Sequence, residues 1–201
     1  MNVMIAMIVT TIREYTMIVE ETNKSVLIGI AGKMGAGKTS VAQYFVKHHR
    51  FVKLAFGDSL KKAAIEMTGL EMIYFTDPLL KEKIIPGIEV TPRQIMQLLG
   101  TELAREMIHP DFWIWRMRQS FSLYSNHDIV VDDIRFENEA NLIRMNSGVV
   151  IHLERNVEFK SNHKKHKSEN GIKFNNADFV VNAEDTVDMT AFEIANIIGI
   201  S

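Results

Sequence analysis

Gly32-Lys33-Met34-Gly35-Ala36-Gly37-Lys38-Thr39 completes the spacing G-x-x-x-x-G-K-[ST]. Such glycines let successive backbone N–H groups curl toward one anion at a helix N-terminus. Lys38 can then reach between the β- and γ-phosphates of a bound nucleotide, and the Thr39 hydroxyl can ligate Mg²⁺. Met34, Ala36 and Ser40 complete the expected cradle with Gly32, Gly35 and Gly37. A second constellation is Asp132-Asp133, at the end of the apolar run Ile129-Val130-Val131. A carboxylate there can orient hydrated Mg²⁺. Side chains alternate along a strand, so the two aspartates face different ways and either can be the metal-side group. Arg135 lies close enough to them to be a ligand contact or a structural partner.

The acceptor side of such a reaction needs further groups. Asp58 and Lys61 follow an apolar run directly, which puts them at the ligand-binding edge of a parallel α/β sheet. Arg93, Gln97 and Arg105 are spaced by four and eight, so they can line one flank of a helix, where two guanidinium groups grip an anion. Arg116 comes from the next helix. Trp113 and Trp115 read as core or pocket wall rather than as a nucleic-acid stacking platform, because no basic stripe accompanies them.

The elements that must position these groups alternate. Val26 to Ala31 reads as a buried strand and Ser40 to His48 as a helix. Phe51 to Phe56 is a second strand, Gly57 breaks it, and Asp58 or Ser59 can cap a helix from Leu60 to near Gly69. Met72 to Val90 has no clear period. Thr91-Pro92 starts a helix to about Met107, and His109-Pro110-Asp111 separates it from another through Phe121. Strands ending at Asp133, at Leu153 and at Asn182, with helices over Phe136 to Asn146 and Thr186 to Ile198, complete the pattern. The expected fold is α/β: a doubly wound, mainly parallel, five-stranded P-loop NTPase sheet. It carries a helical acceptor-binding insert (60–125) and a short, lysine-rich lid (155–173) that would close over nucleotide. Residues 1–24 read as an extension with no assignable chemistry, and 25–201 as the catalytic domain.

Composition narrows the classes. The 201 residues suit one domain with a sizeable core, and a formal charge of −2 gives no support for coating nucleic acid. The absence of cysteine excludes disulfides and thiolate metal sites. No apolar run is long enough to span a membrane and no secretory signal is evident, so a cytoplasmic protein is expected. The Asn-Lys-x-Asp pattern of GTPases is missing: the only Asn-Lys pair, Asn23-Lys24, precedes the phosphate loop.

Several blocks, taken in order, carry a family resemblance. They are Gly32 to Thr39, Leu54-Ala55-Phe56-Gly57-Asp58-Ser59-Leu60-Lys61, Thr91 to Glu102, Pro110-Asp111-Phe112-Trp113, Asp133-Ile134-Arg135-Phe136-Glu137-Asn138-Glu139-Ala140 and His166-Lys167-Ser168-Glu169. Over about residues 25 to 198 the chain resembles the deoxynucleoside monophosphate kinases of tailed bacteriophages, a branch of the P-loop nucleoside monophosphate kinases. The resemblance implies transfer of the γ-phosphoryl group of ATP, with Mg²⁺, to a deoxynucleoside monophosphate. It implies a catalytic set of Lys38, Arg93, Arg105, Arg135 and Asp133, with Asp132 still open as the metal-orienting group. Asp58, Lys61, Gln97, Trp113 and Arg116 join those arginines on the acceptor side, and Arg155 with the segment after it would contact ATP. A monomer or homodimer in the host cytoplasm, without nucleic-acid or membrane partners, is expected. Two rivals stay open: a kinase for another metabolite such as dephospho-coenzyme A, and a non-catalytic nucleotide-binding interaction protein.

Overall fold

The structure is a computed structural model that describes residues 25–156 and 172–200. The N-terminal extension and most of the expected lid, including the His166 block, lie outside the described residues. The order of elements begins β1 (Leu27–Gly32), α1 (Lys38–His49), β2 (Val52–Leu54), α2 (Phe56–Thr68) and α3 (Ile73–Thr76). A 3₁₀ turn (Leu80–Glu82) and α4 (Pro92–Gln97) follow, α4 continuing as a π-helix (Leu98–Ile108). The chain ends with α5 (Phe112–Leu123), β3 (Ile129–Ile134), α6 (Glu137–Met145), β4 (Val149–Glu154), β5 (Phe179–Asn182) and α7 (Val187–Ile198).

The five strands form one sheet in the order β2-β3-β1-β4-β5, every pair parallel. The expected doubly wound sheet is therefore present. Its central strand, β1, is apolar on both faces. Ile28 and Ile30 pack with Val41 and Phe45 of α1 and Ile194 of α7, whereas Ala31 packs with Val131, Ile143, Trp113 and Met117 on the other face. A smaller core of Ala64, Phe75 and Ile95 holds the helical insert together.

Three local features depart from the expected pattern. First, α2 starts at Phe56, not Leu60, and the cap comes from another strand: Asp133 accepts the N–H groups of Phe56 and Gly57, both at 2.8 Å. Neither Asp58 nor Ser59 is the cap residue. Second, the helix opened by Thr91 has the expected start, with a capping box to Gln94, but it widens to π winding from Leu98. The i→i+5 winding turns each residue through a smaller angle than an α-helix does. Third, β3 carries one residue more than β1 over the same span, since Gly29 pairs with Val131 and Ala31 with Ile134. This bulge falls on Asp132 and Asp133, where simple alternation had been expected, and it re-aims the side chains there.

Candidate active site

The phosphate loop lies between β1 and α1, and its glycines are required by conformation. Gly32 has φ +145°, and a Cβ there would meet the backbone oxygen of Leu153 at 2.7 Å. Gly35 (φ 79°) and Gly37 (φ 92°) take left-handed turns that bring the loop into the first turn of α1. Changing Gly32→Ala therefore combines a backbone outlier with a backbone clash. It should cost about 2 kcal/mol or more of stability, read as a lower urea midpoint together with weaker ATP binding.

Lys38 folds back on this loop, its Nζ donating to the carbonyls of Gly32 at 2.7 Å and Lys33 at 2.8 Å. Burial, helped by the Arg135 charge and opposed by Asp132 and Asp133, pulls its pKa down to about 8. Anionic phosphates would return it toward the ordinary lysine range. At pH 8 the free protein holds Lys38 about half protonated, so ATP binding should take up about half a proton. Calorimetry in buffers of different ionisation enthalpy reads that uptake, and Lys38→Met should remove it. Thr39 and Ser40 are exposed on the first turn of α1, while Ala36 is buried beneath the loop.

The two aspartates have different surroundings. Asp132 is buried and ion-paired with Lys53 of β2 at 3.0 Å, and its charge acts on Lys38. Both carboxylate oxygens of Asp133 are engaged by the first N–H groups of α2, and burial pushes its pKa up against those bonds. For Mg²⁺, the exposed Thr39 hydroxyl and a strand-end carboxylate are hard oxygen donors of the right kind. Among the described residues no cluster of three or more His, Asp or Glu forms a cage.

On the acceptor side, Lys61 bonds Asp58 at 3.0 Å within the first turns of α2, and Arg93 at the start of α4 pairs through Nε with Glu82. Arg135 follows β3. The remaining expected residues do not join this group. Arg105 is buried in an ion pair with Glu139, sits 4.0 Å from the centre of the Phe136 ring, and donates to Pro110 O. Gln97 lines a shallow outer groove with Val90, Gln94, Leu98 and Glu102. Trp113 is buried, its indole N–H donating to Gly100 O at 2.8 Å, so it ties α5 to the π-helix. Arg116 reaches Ser120 at 3.4 Å, and Arg155 is exposed just before the undescribed segment.

Comparison with known proteins places this architecture. A family model described as deoxynucleotide monophosphate kinase matches residues 79–194. The chain belongs to that family. A protein of Acanthamoeba polyphaga mimivirus carrying the deoxynucleotide monophosphate kinase name is 33% identical over 146 residues, 65% of this chain and 74% of that protein. The deoxynucleoside-5′-monophosphate kinase of Escherichia phage T5 is 32% identical over 100 residues, which are 46% of this chain and 39% of the T5 enzyme. A solved gluconokinase from Sinorhizobium meliloti 1021 aligns over 88% of this chain and 95% of its own, at 13% identity and TM-score 0.46. Shikimate kinase from Aquifex aeolicus aligns over 87% and 99%, at 13% identity and TM-score 0.43.

In this deoxynucleotide monophosphate kinase family member, two charged residues near the candidate site escaped sequence reasoning. Glu139 accepts the N–H groups of Arg135 at 2.7 Å and Phe136 at 3.0 Å while pairing with Arg105. One carboxylate therefore fixes both the loop that carries Arg135 and the insert. The capping-box spacing from Phe136 to Glu139 is a signal in the sequence, but a weak one, because phenylalanine has no capping side chain. Lys81, half-buried in the 3₁₀ turn, lies within electrostatic reach of Arg93, Lys61 and Arg135. It came from the stretch without a period, and no sequence signal marked it.

Proposed function

We propose that this family member transfers the γ-phosphoryl group of ATP to the 5′-phosphate of a deoxynucleoside monophosphate, releasing ADP and a deoxynucleoside diphosphate. The observation that carries the reading is the match of residues 79–194 to the deoxynucleotide monophosphate kinase family, with the Lys38 loop outside that span and the charge of Arg135 within reach of Lys38. That charge acts on Lys38 in the nucleotide loop and also on Lys81 beside Arg93. Transfer between two anions requires that their mutual repulsion be neutralised while their oxygens are held in line, and Arg135 supplies positive charge for that.

The acceptor's phosphate oxygen is ionised near neutral pH, so no general base is needed. That oxygen forms a bond to the γ-phosphorus as the bond to the bridging oxygen breaks, and ADP keeps the electron pair. In this mechanism the loop N–H groups and Lys38 hold the donor phosphates, Lys38 leaving the carbonyls of Gly32 and Lys33. Arg93 exchanges Glu82 for the acceptor phosphate, and Asp58 with Lys61 orients the acceptor. Thr39 and Asp132 would hold Mg²⁺, which when bound supplies positive charge to the ATP phosphates. Asp133 is assigned to positioning, because its oxygens anchor α2 and so the Asp58–Lys61 pair. Arg105 and Glu139 hold the Arg135 loop against the insert.

The deciding experiment incubates the protein with Mg-ATP and each of the four canonical deoxynucleoside monophosphates, AMP and dephospho-coenzyme A, and resolves the products. A deoxynucleoside diphosphate with matching ADP is expected. Product from dephospho-coenzyme A alone would replace the acceptor assignment, and nucleotide binding with no product would favour a binding role.

A further inference from the structure

The first turns of α2 carry Asp58 and Lys61, and two contacts from different parts of the fold locate them. From the sheet, Asp133 accepts the N–H groups of Phe56 and Gly57, and a Cβ at Gly57 would meet Asp133 Oδ2 at 3.1 Å. From the insert, the contact is Gly100 of the π-helix. Gly100 is buried and is not among the glycines with positive φ, so the fold uses its missing side chain rather than its backbone freedom. A Cβ built there would meet Leu60 Cδ2 at 2.8 Å, with Leu60 Cδ1 and Cγ next at 3.7 and 3.8 Å. Carbon atoms in contact ordinarily stand about 3.5–4.0 Å apart, so Leu60 fills the space that a side chain at position 100 would take. Two further contacts fix this arrangement. The Trp113 indole N–H donates to Gly100 O at 2.8 Å, and Leu60 packs against the core that contains Phe56, Ala104 and Trp113. In a close-packed core a leucine turns away from one neighbour only by pressing on others.

We infer that Gly100 is a positioning residue for the acceptor side: its bare Cα lets Leu60 lie against the π-helix and so sets where the Asp58–Lys61 pair stands. The inference rests on the acceptor-orienting role given to that pair above. Leu60 lies between the two charged residues in the chain, and their 3.0 Å ion pair spans it. A methyl group at position 100 moves Leu60 by about 1 Å before ordinary contact is restored. Asp133 holds only the start of the helix, so the displacement falls on the residues after it. A misplacement of that size can cost about a hundredfold in rate. The nucleotide loop, between β1 and α1, takes no part in this contact.

The test compares the full chain with Gly100→Ala and with Gly100→Ala combined with Leu60→Val, which removes one carbon where the alanine adds one. The kcat/KM for a deoxynucleoside monophosphate is measured at saturating ATP, ATP binding by calorimetry without acceptor, and exchange of the Phe56 and Gly57 amides by hydrogen exchange. In Gly100→Ala the acceptor kcat/KM should fall about ten- to a hundredfold and the two amides exchange faster, with ATP affinity within about twofold. The double variant should recover most of the acceptor kcat/KM. Alanine is the better helix former, so a folded Gly100→Ala with unchanged acceptor kcat/KM shows open space at position 100 and overturns the inference. Equal losses toward ATP and acceptor, or an acceptor loss that Leu60→Val does not relieve, overturn it too and leave the kinase reading intact. If Gly100→Ala alone does not fold, a folded double variant with near-parent acceptor kinetics supports the contact, and an unfolded one overturns it. If the parent phosphorylates no deoxynucleoside monophosphate, the acceptor role falls with that reading, whatever the amide exchange shows of the packing.

Discussion

Lys38→Ala should lower phosphoryl transfer by about a hundred- to a thousandfold, the loss seen when one preorganised charge-stabilising donor is removed. The urea midpoint should hardly move. The two hydrogen bonds of Lys38 in the free protein go to the carbonyls of Gly32 and Lys33, on an exposed loop where water can replace the ammonium. Burial and Arg135 already disfavour its charge, so the loss of those bonds is partly offset. Rate and stability thus separate at this residue. A coupled ADP assay beside urea denaturation checks both, and turnover within tenfold of the parent would refute the role given to Lys38.

Arg105→Met should have the opposite profile, a large loss of stability. Arg105 and Glu139 are both buried, and the pair joins the π-helix to the start of α6. Removing one member strands the other, a loss of about 3–5 kcal/mol. Burial pushes the Glu139 carboxyl up to about 7 even with Arg105 opposing the shift, so without the guanidinium it rises further. The folded pKa then lies well above the unfolded value. The folded state holds the extra proton, and stability contributed by that proton is lost as pH rises from about 4.5 through 7 and beyond. Arg105→Met should therefore be markedly weaker in urea at pH 8 than at pH 6. Adding Glu139→Gln should recover much of the loss and flatten this difference, because the amide oxygen still accepts from the Arg135 loop. A single variant with no loss at pH 8 would show that the buried pair contributes nothing.

Much of the fold was legible because its rules are local. Apolar strands such as Ile28 to Ala31 and Ile129 to Val131 must be buried whatever surrounds them, and Thr91-Pro92 opens a helix with its own side chains. The phosphate loop was legible for the same reason, since Gly32, Gly35 and Gly37 meet a backbone requirement within eight residues. The acceptor side was only partly legible. Lys61, Arg93, Arg105 and Arg135 could be named by type, but the pairing of Arg105 with Glu139, 34 positions further on, has no counterpart in local spacing.

The sequence by itself determined that a glycine loop of G-x-x-x-x-G-K-[ST] spacing follows the first strand of a parallel α/β sheet, because steric limits on glycine and burial of apolar runs act within a few residues. Only the tertiary structure decided which charges meet. Asp133 turns to cap α2, across 76 positions to Gly57, because a bulge re-aims it. Lys81 comes within electrostatic reach of Arg93, Lys61 and Arg135, which are up to 54 positions away in the chain. Charge is felt through space, and spacing along the chain does not record distance across the fold.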